Sequence, residues 1–289
     1  MFSALFKTMR PRQWTKNIFV FAALVFDKQL FAADSFLRTL AGFALFCLIS
    51  SSVYLFNDLA DVEADRQHPE KKHRPIASGK LPVSAAWIAG VLLVVVTFTL
   101  AWFLSPGFEF VVVLYFFINM AYSKWLKHIP ILDVLIIAAG FVLRVHAGVT
   151  LIDVERFSPW LYVVMTLLSL FLGFGKRRAE LALLAHGAGS HRKVLDGYTL
   201  PLLDQYIMIV SGTTIVAYSL YTFSAPNVPD NHSMMLTIPF VVYAIFRYLY
   251  LIEVKHAGGA PEEILLSDRP FQIAMILWGA AVLAIFYFS

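Results

Sequence analysis

A short acidic run follows a long apolar segment and offers the ligands that a divalent metal prefers. Asn57, Asp58, Asp61 and Asp65 lie within one ten-residue stretch, and at about 100° per residue they share one face of a helix, whereas Glu63 points elsewhere. Oxygen ligands that converge from one helical face suit Mg²⁺, with phosphate oxygens completing its coordination. The spacing predicts that Asn57, Asp58, Asp61 and Asp65 form a Mg²⁺ site. Asp58 and Asp61 would be the central catalytic groups of a reaction that releases diphosphate.

Basic side chains follow this acidic run. Lys72 and Arg74 lie in the segment 68–79, which is rich in Lys, Arg and His. Cations beside a carboxylate cluster fit a ligand whose phosphates are bridged by metal. Both residues are therefore predicted to bind substrate phosphate.

The composition requires that these residues be held by a membrane protein. The chain has 289 residues, 59% of them hydrophobic and only 15% charged, with a mean hydropathy of +0.72. A soluble domain carries nearer a quarter charged residues. The single cysteine, Cys47, excludes a disulfide framework and a cysteine-based metal site. An integral membrane protein with many spans is predicted, and no nucleic-acid partner is expected.

Nine apolar segments are each near the length that crosses a bilayer, about 20 residues, and prolines lie at or near most of their starts. We predict one all-α domain over residues 1–289, a bundle of nine transmembrane helices with an interfacial segment at 1–16 and cytoplasmic active-site loops at 58–83 and 176–203. The predicted spans are 17–33, 36–57, 84–104, 107–123, 130–151, 159–175, 204–223, 234–252 and 270–288.

The positions of Lys and Arg predict the orientation. Eighteen lie in the N-terminal segment and the even-numbered loops, against three (Lys28, Arg38 and Arg156) on the opposite side. We therefore expect a multi-pass protein of a prokaryotic inner or plasma membrane. Its N-terminus would lie in the cytoplasm, and its central cavity and active site would face the cytoplasm.

One pattern carries a family resemblance: Asn57-Asp58-x-x-Asp61-x-x-x-Asp65, followed by Lys72-x-Arg74-Pro75-x-x-x-Gly79. It resembles the first aspartate-rich motif of the UbiA superfamily of intramembrane prenyltransferases. The nine-span layout agrees with that family, and the similarity extends over essentially the whole chain. The resemblance implies a Mg²⁺-dependent transferase.

A second motif lies at the end of the fourth predicted span. Tyr122 and a following lysine resemble a Tyr and Lys motif of the family, which implies phosphate binding by the lysine. Lys124 and Lys127 both fit this role, and Lys127 is preferred as the phosphate-binding and catalytic lysine.

The segment after the sixth predicted span departs from the aromatic prenyltransferases of the family. Those carry a second aspartate-rich motif there, whereas this chain has Lys176, Arg177 and Arg178, with Glu180 as the remaining acid. Three bases would bind phosphate oxygens directly, and Lys176 and Glu180 have the spacing that organises a helix face. The departure resembles the phosphoribosyl branch of the family.

The phosphoribosyl resemblance implies transfer of 5-phosphoribose from phosphoribosyl pyrophosphate to a decaprenyl-type polyprenyl phosphate, with release of diphosphate. A segment before the first span also resembles that branch, and its Arg10, Gln13, Lys16 and Asn17 would close around the lipid head group, with Lys16 also a phosphate ligand.

Two charges on the fifth predicted span are harder to assign. An unpaired charge within a span would be very costly, so Arg144 either contacts substrate phosphate in a wet cavity or is paired structurally. Asp133, on a similar face of that span, is a further site candidate.

Two other functions fit parts of the pattern. The shared first motif also suits an aromatic or quinone-precursor prenyltransferase that uses a polyprenyl diphosphate. Spans with polar cavities would also suit a non-enzymatic ion or phosphate transporter. A homo-oligomer is compatible with the sequence.

Overall fold

The structure, a computed structural model, describes residues 1–154, 158–185, 193–255, 264 and 267–288, and within them the regular elements are all helices. The α-helices are α1 (Phe2–Thr8), α2 (Ala22–Phe26), α3 (Ala33–Ala60), α4 (Val62–Gln67), α5 (Val83–Leu104), α6 (Pro106–Lys124), α7 (Leu132–Val149), α8 (Pro159–Ala185), α9 (Leu200–Ser224), α10 (Ile238–Glu253) and α11 (Arg269–Phe288). The 3₁₀ helices are Pro11–Phe21, Lys71–His73, Leu126–His128, Lys193–Gly197 and Ser233–Thr237.

Eight helices within these described ranges are long and apolar enough to cross a membrane, namely α3, α5, α6, α7, α8, α9, α10 together with its preceding 3₁₀ turn, and α11. Each overlaps one of the predicted spans from the second to the ninth. The predicted all-α, multi-pass membrane architecture is therefore confirmed.

The first predicted span has a different structure from the one expected. Residues 17–33 were predicted to be a regular transmembrane helix, but Pro11–Phe21 forms a 3₁₀ helix and is followed by the five-residue α2. Eight of the described helices, not nine, meet the length and hydropathy of a span. Hydropathy records how apolar a segment is but does not distinguish 3₁₀ from α backbone geometry.

Prolines begin five of the long helices, as predicted from the sequence. Pro106 and Pro159 are the first residues of α6 and α8, and Pro201, Pro239 and Pro270 are the second residues of α9, α10 and α11. Proline fits the first turn because its missing N–H would have no partner inside the helix. The end of α8 was not predicted, since this helix continues from the expected loop start at 176 to Ala185.

The chain divides into two compact units. The first unit comprises Met1–Val25, Gln29–Lys124 and Leu143–Val154. Its apolar core includes Phe46, Ile49 and other buried residues of α3, packed with residues of α5, α6 and α7. A smaller cluster in the same unit buries part of the loop after α4 against the end of α3.

The second unit comprises Phe26–Lys28, Trp125–Val142 and the described parts of 155–289. Its larger core joins α8, α9 and α10, with Phe171 and Tyr248 among the most deeply buried residues. Each unit contains one of the charged clusters described below.

Candidate functional site

The acidic run lies where α3 ends. Asp61 separates α3 from α4 with φ −95° and ψ 6°, so the single helix expected through Asp65 is interrupted by one residue. The hydrogen bonds continue across the junction, because the Asp61 N–H donates to the Asn57 carbonyl at 3.0 Å and the Asp65 N–H to the Asp61 carbonyl at 2.8 Å. Glu63 points away from the other acids, as predicted, and pairs with Arg66 at the surface.

The loop after α4 positions Arg74. Pro75 disfavours a helical conformation for the residue before it, and Arg74 accordingly has an extended backbone with φ −61° and ψ 145°. Ile76 and Leu81, which follow, are almost completely buried against the end of α3. Burial of these two side chains fixes the loop, so that the Arg74 guanidinium reaches the acidic residues.

Four charged side chains meet at this point, and together with Asn57 we call them the acidic cluster: Arg10, Asn57, Asp58, Asp65 and Arg74. Oδ1 of Asp58 accepts hydrogen bonds from Arg10 Nη2 at 2.6 Å and from Arg74 Nη1 at 3.1 Å. Arg74 Nη1 also donates to Asp65 Oδ2 at 2.7 Å. Both carboxylates are buried, whereas the two arginine side chains are 33% and 30% exposed.

Asn57 contributes an unusual atom to the acidic cluster. Its Oδ1 is buried and has no hydrogen-bond partner. A buried oxygen without a partner is rare in folded proteins and calls for an explanation such as a ligand or an ion. The residue directly before Asp58 therefore supplies one unused oxygen.

These oxygens fit a magnesium ion that arrives with phosphate. Within the described residues, no three His, Cys, Asp or Glu side chains form a ready-made metal site. Mg²⁺ does not need one, because it is usually held by one or two carboxylates, with substrate phosphates and water as its other ligands. Asp58, Asp65 and the Asn57 oxygen can supply that partial set, and Asp61 lies between them in the chain.

The second unit contains a more deeply buried cluster, which we call the buried network: Ile131, Asp133, Arg177, Glu180 and Tyr198. Asp133 Oδ2 accepts from Arg177 Nε at 2.6 Å, and Asp133 Oδ1 accepts from the Tyr198 hydroxyl at 2.7 Å. Arg177 Nη1 donates to Glu180 Oε2 at 2.5 Å. The side chains of Arg177 and Asp133 are 2% and 0% exposed, so this ion pair is fully inside the protein.

Tyr198 completes the buried network by clamping the turn before α7. Its hydroxyl accepts from the backbone N–H of Ile131, a residue with a left-handed φ of 69°. Burial raises the pKa of Tyr198, and its hydrogen bond to Asp133 raises it further. The hydroxyl therefore stays protonated at neutral pH and remains a donor to Asp133.

The other two bases of the predicted phosphate-binding run have separate surroundings. Arg178 Nε donates to Asp204 Oδ1 at 2.5 Å, and its Nη2 donates to Glu253 Oε2 at 2.7 Å. These ion pairs join α8 to α9 and α10. Lys176 is half-buried near the end of α8.

Arg144 has polar and aromatic partners within the first unit. Its Nε donates to Asn17 Oδ1 at 2.8 Å and its Nη2 to the Tyr115 hydroxyl at 2.9 Å. The guanidinium carbon lies 5.5 Å from the ring centre of Phe46. Asn17 is itself completely buried and donates to Ser50. These neutral partners hold Arg144 inside the first unit, and they place Asn17 in the interior.

The remaining predicted residues lie on short or terminal elements. Gln13 and Lys16 are partly exposed on the first 3₁₀ helix, and Lys72 is exposed on the turn Lys71–His73. Tyr122 lies in the last turn of α6, and Lys127 lies in the following 3₁₀ turn. The competing Lys124 is the exposed last residue of α6.

Sequence reasoning did not assign the partners of the bases. Asp133, Asp204 and Glu253 lie 26 or more residues from the arginines that donate to them, and no local motif marks them as partners. The only available signal was the need for a carboxylate near each buried cation.

The described helices, with a polar cluster at the end of a membrane-length helix, define a helical multi-pass membrane protein. The chain belongs to the UbiA prenyltransferase family, whose sequence profile matches residues 17–258. The resemblance of the chain to the UbiA superfamily is thereby confirmed.

Several relatives match almost the whole chain. Decaprenyl-phosphate phosphoribosyltransferase of Mycolicibacterium smegmatis is 38% identical, and the match covers 99% of this chain and 93% of that protein. The protein of the same name from Mycobacterium tuberculosis is 35% identical, over 96% of this chain and 92% of that protein. Its counterpart from Corynebacterium glutamicum is 33% identical, over 95% and 84%.

Solved structures share the fold. A UbiA homolog from Archaeoglobus fulgidus bound to GPP and Mg²⁺ has a TM-score of 0.73 with 18% identity, covering 98% of this chain and 99% of that chain. A structure of digeranylgeranylglyceryl phosphate synthase has a TM-score of 0.68 with 16% identity, covering 98% of each chain. At these identities the likeness establishes the fold.

Proposed function

We propose that this protein transfers 5-phosphoribose from phosphoribosyl pyrophosphate to a polyprenyl phosphate and releases diphosphate, with Mg²⁺ as cofactor. The observation that carries this proposal is the match over nearly the whole chain to relatives named decaprenyl-phosphate phosphoribosyltransferase. The replacement of the second acidic motif by Lys176, Arg177 and Arg178 supports the same branch.

The reaction breaks the bond between ribose C1 and the diphosphate oxygen, and diphosphate leaves with the bonding electron pair. An oxygen of the lipid phosphate forms the new bond to C1. Because that phosphate is already ionised near neutral pH, the protein needs no dedicated base. Its tasks are to hold two phosphorylated substrates and to stabilise the charge on the leaving group.

The acidic cluster is proposed to hold the diphosphate end of the donor. Asn57, Asp58 and Asp65 would contribute oxygen ligands to Mg²⁺, and Asp61 would support them. Bound Mg²⁺ would supply neutralisation of the charge that develops on the leaving diphosphate. Arg74, already fixed beside two of these carboxylates, would donate to phosphate oxygens from the same side.

Lysines outside the acidic cluster are proposed to bind the other phosphates. Lys72, Lys127 and Lys176 would contact the ribose 5-phosphate or the lipid phosphate, and Tyr122 would also bind phosphate. Gln13 and Lys16 would contact the lipid head group.

The arginines that have carboxylate or amide partners inside the protein would act less directly. Arg177 and Glu180 would hold the end of α8 through the buried network, and Arg178 would do so through its ion pairs with α9 and α10. Arg144, fixed by Asn17, would shape the interior of the first unit.

We further propose nine membrane crossings with the N-terminus in the cytoplasm. The first crossing would be the segment 17–33, which contains the end of the first 3₁₀ helix and α2. An odd number of crossings would put the C-terminus outside, and the excess of Lys and Arg supports a site that faces the cytoplasm.

The substrate pair tests the function. Purified full-length protein is given phosphoribosyl pyrophosphate, decaprenyl phosphate and Mg²⁺, and the lipid fraction is examined by mass spectrometry. The expected product is a phosphoribosylated lipid phosphate that is absent when EDTA replaces Mg²⁺. Absence of that lipid in the complete reaction would contradict the proposal.

A second function is favoured by one observation, the Archaeoglobus fulgidus structure with bound GPP and Mg²⁺. It would be prenyl transfer from a polyprenyl diphosphate to an aromatic acceptor. Turnover of a polyprenyl diphosphate with an aromatic acid, and none with phosphoribosyl pyrophosphate, would select this alternative.

A further inference from the structure

The acidic cluster is electrically balanced before any ligand binds. Asp58 and Asp65 provide two negative charges, and Arg10 and Arg74 provide two positive charges in direct contact with them. A metal cation that enters alone meets two guanidinium groups already occupying the carboxylates. A metal that enters with diphosphate brings the negative charge that those guanidinium groups need.

Arg10 and Arg74 differ in how many carboxylates of the acidic cluster they contact. Arg74 bridges both carboxylates and lies on a loop fixed by buried apolar residues. Arg10 contacts only one of those carboxylates, that of Asp58, and its guanidinium carbon lies 4.8 Å from the ring centre of Tyr54. Release of Arg10 therefore breaks one ion pair, whereas release of Arg74 breaks two.

The backbone at Arg10 supports the same distinction. Arg10 has φ 53° and ψ 61°, a left-handed conformation that is costly for a residue with a Cβ. It also precedes Pro11, which favours an extended conformation in the preceding residue. Arg10 joins α1 to the first 3₁₀ helix, so relaxation there would move its guanidinium relative to Asp58.

We propose that Arg10 is an exchange residue of the acidic cluster: it neutralises Asp58 in the free protein and transfers its hydrogen bonds to diphosphate when Asp58 becomes a metal ligand. This inference rests on the proposed metal–diphosphate role of the cluster, but not on the identity of the sugar or the acceptor. Its consequence is that metal and diphosphate bind cooperatively, because each relieves the charge that opposes the other.

Removal of the Arg10 charge should therefore have opposite effects on two ligands. In Arg10→Gln, Mn²⁺ alone should bind more tightly, since its competitor at Asp58 is gone. Diphosphate should bind more weakly in the presence of Mn²⁺, since it has lost a donor. A purely structural Arg10 would produce no such pair of opposite changes.

The experiment measures Mn²⁺ bound to full-length protein in detergent by electron paramagnetic resonance, with and without inorganic diphosphate, at matched free Mn²⁺. In the wild-type protein, diphosphate should tighten Mn²⁺ binding about tenfold or more. In Arg10→Gln, Mn²⁺ alone should bind about threefold tighter, and the tightening by diphosphate should shrink about fivefold. Arg12→Gln, which removes an exposed charge two residues away, is the matched control and should behave as the wild type.

Other outcomes would overturn the inference. They are an Arg10→Gln variant that binds Mn²⁺ alone no more tightly than the wild type, or one in which diphosphate tightens Mn²⁺ binding as strongly as before. If Arg10→Gln does not fold, hydrogen exchange of the wild type decides the question. Exchange of the segment 2–10 should change when Mn²⁺ and diphosphate are added together but not with Mn²⁺ alone, and an unchanged segment would overturn the inference.

The same data separate this inference from the proposed function. Cooperative, Arg10-dependent binding in a protein that makes no phosphoribosylated lipid would retain the exchange and reject the substrate assignment. Phosphoribosyl transfer without cooperative binding would retain the substrate assignment and reject the exchange.

Discussion

The two charged clusters are built from the same kinds of group but differ in how completely the groups are used. In the acidic cluster, Asp58 pairs with Arg10 and Arg74, and Asp65 pairs with Arg74. Both arginine side chains are about one-third exposed, and the Asn57 oxygen has no partner. In the buried network, both oxygens of Asp133 are occupied, one by Arg177 and one by Tyr198. The first cluster can exchange partners with a ligand, whereas the second cannot do so without leaving a charge buried and unpaired.

The residue type of a base therefore does not determine its function. Arg74 follows a group of acidic residues in the chain, and Arg177 precedes an acidic residue. Burial separates them, because a buried ion pair holds its partners strongly once formed, while a partly exposed pair contributes little to stability. We therefore propose chemistry for the acidic cluster and structural support for the buried network.

The largest effect is expected for chemistry at Asp58. Asp58→Asn should lower the rate of phosphoribosyl transfer about 1,000-fold, equivalent to about 4 kcal/mol, because the Mg²⁺ proposed to stabilise the leaving diphosphate would lose a protein ligand. Its free energy of unfolding should fall by no more than about 1 kcal/mol, since both arginines reach solvent and Arg74 keeps Asp65. The lipid product is measured by mass spectrometry, and Glu63→Gln, a change of an exposed neighbouring acid, is the control and should transfer normally.

Changes in the buried network should affect the free energy of unfolding more than the rate of transfer. Asp133→Asn should lower the free energy of unfolding in mixed micelles by about 3 kcal/mol, because Arg177 is left buried with only Glu180 as its acidic partner in the network. A loss below about 1 kcal/mol would contradict the assignment of a structural ion pair. The paired replacement Asp133→Leu/Arg177→Met should recover most of the lost stability, since it removes both charges together.

A smaller effect is expected for the clamp on the turn before α7. Tyr198→Phe removes a hydroxyl that donates to Asp133 and accepts from Ile131, and should lower the free energy of unfolding by about 1 kcal/mol. Tyr206→Phe is the control, because the ring of Tyr206 packs on Phe174 and the change retains that ring. Equal losses in the two variants would show that the hydroxyl of Tyr198 has no special role.

The ion pair between Asp268 and Arg247 is expected to stabilise the protein in a pH-dependent way. Asp268 accepts from Arg247 Nη2 at 2.8 Å and from the Phe271 N–H at the start of α11. The hydrogen bonds from Arg247 hold the pKa of Asp268 below its ordinary value of 3.8. The stabilisation is therefore complete above that value and is lost as the pH falls through the lower pKa of the folded protein.

Asp268→Asn should accordingly melt at a lower temperature than the wild type at pH 7, and the difference should shrink as the pH is lowered below about 4. Melting curves in detergent at a series of pH values measure this. A difference that is constant with pH would show that the ion pair makes no contribution.

The sequence predicted the parts of the site that depend on near neighbours. The spacing of Asn57, Asp58 and Asp65 predicted oxygen groups on one face of a helix. Arg74 was predicted to bind phosphate, and its pairing with Asp58 and Asp65 was not predicted. The interruption at Asp61 was not predictable, because the hydrogen bonds on both sides of it are helical.

The parts that were not predicted depend on contacts distant in sequence. A run of bases after an apolar helix is expected at a membrane surface, and only the fold brings Asp133 and Tyr198 to Arg177 and buries it. The 3₁₀ geometry of Pro11–Phe21 was missed for a related reason, since hydropathy does not depend on the hydrogen-bond pattern of the backbone.

Phosphoribosyl transfer in two variants tests most directly whether the acidic cluster carries the chemistry and the buried network the structural support. Both variants are measured at one temperature, below the unfolding transition of each. Asp58→Asn is predicted to fold and to lose transfer, and Asp133→Leu/Arg177→Met is predicted to fold and to retain transfer within a few-fold of the wild type. A folded double variant without transfer, or an Asp58→Asn variant that transfers phosphoribose at the wild-type rate, would contradict the account.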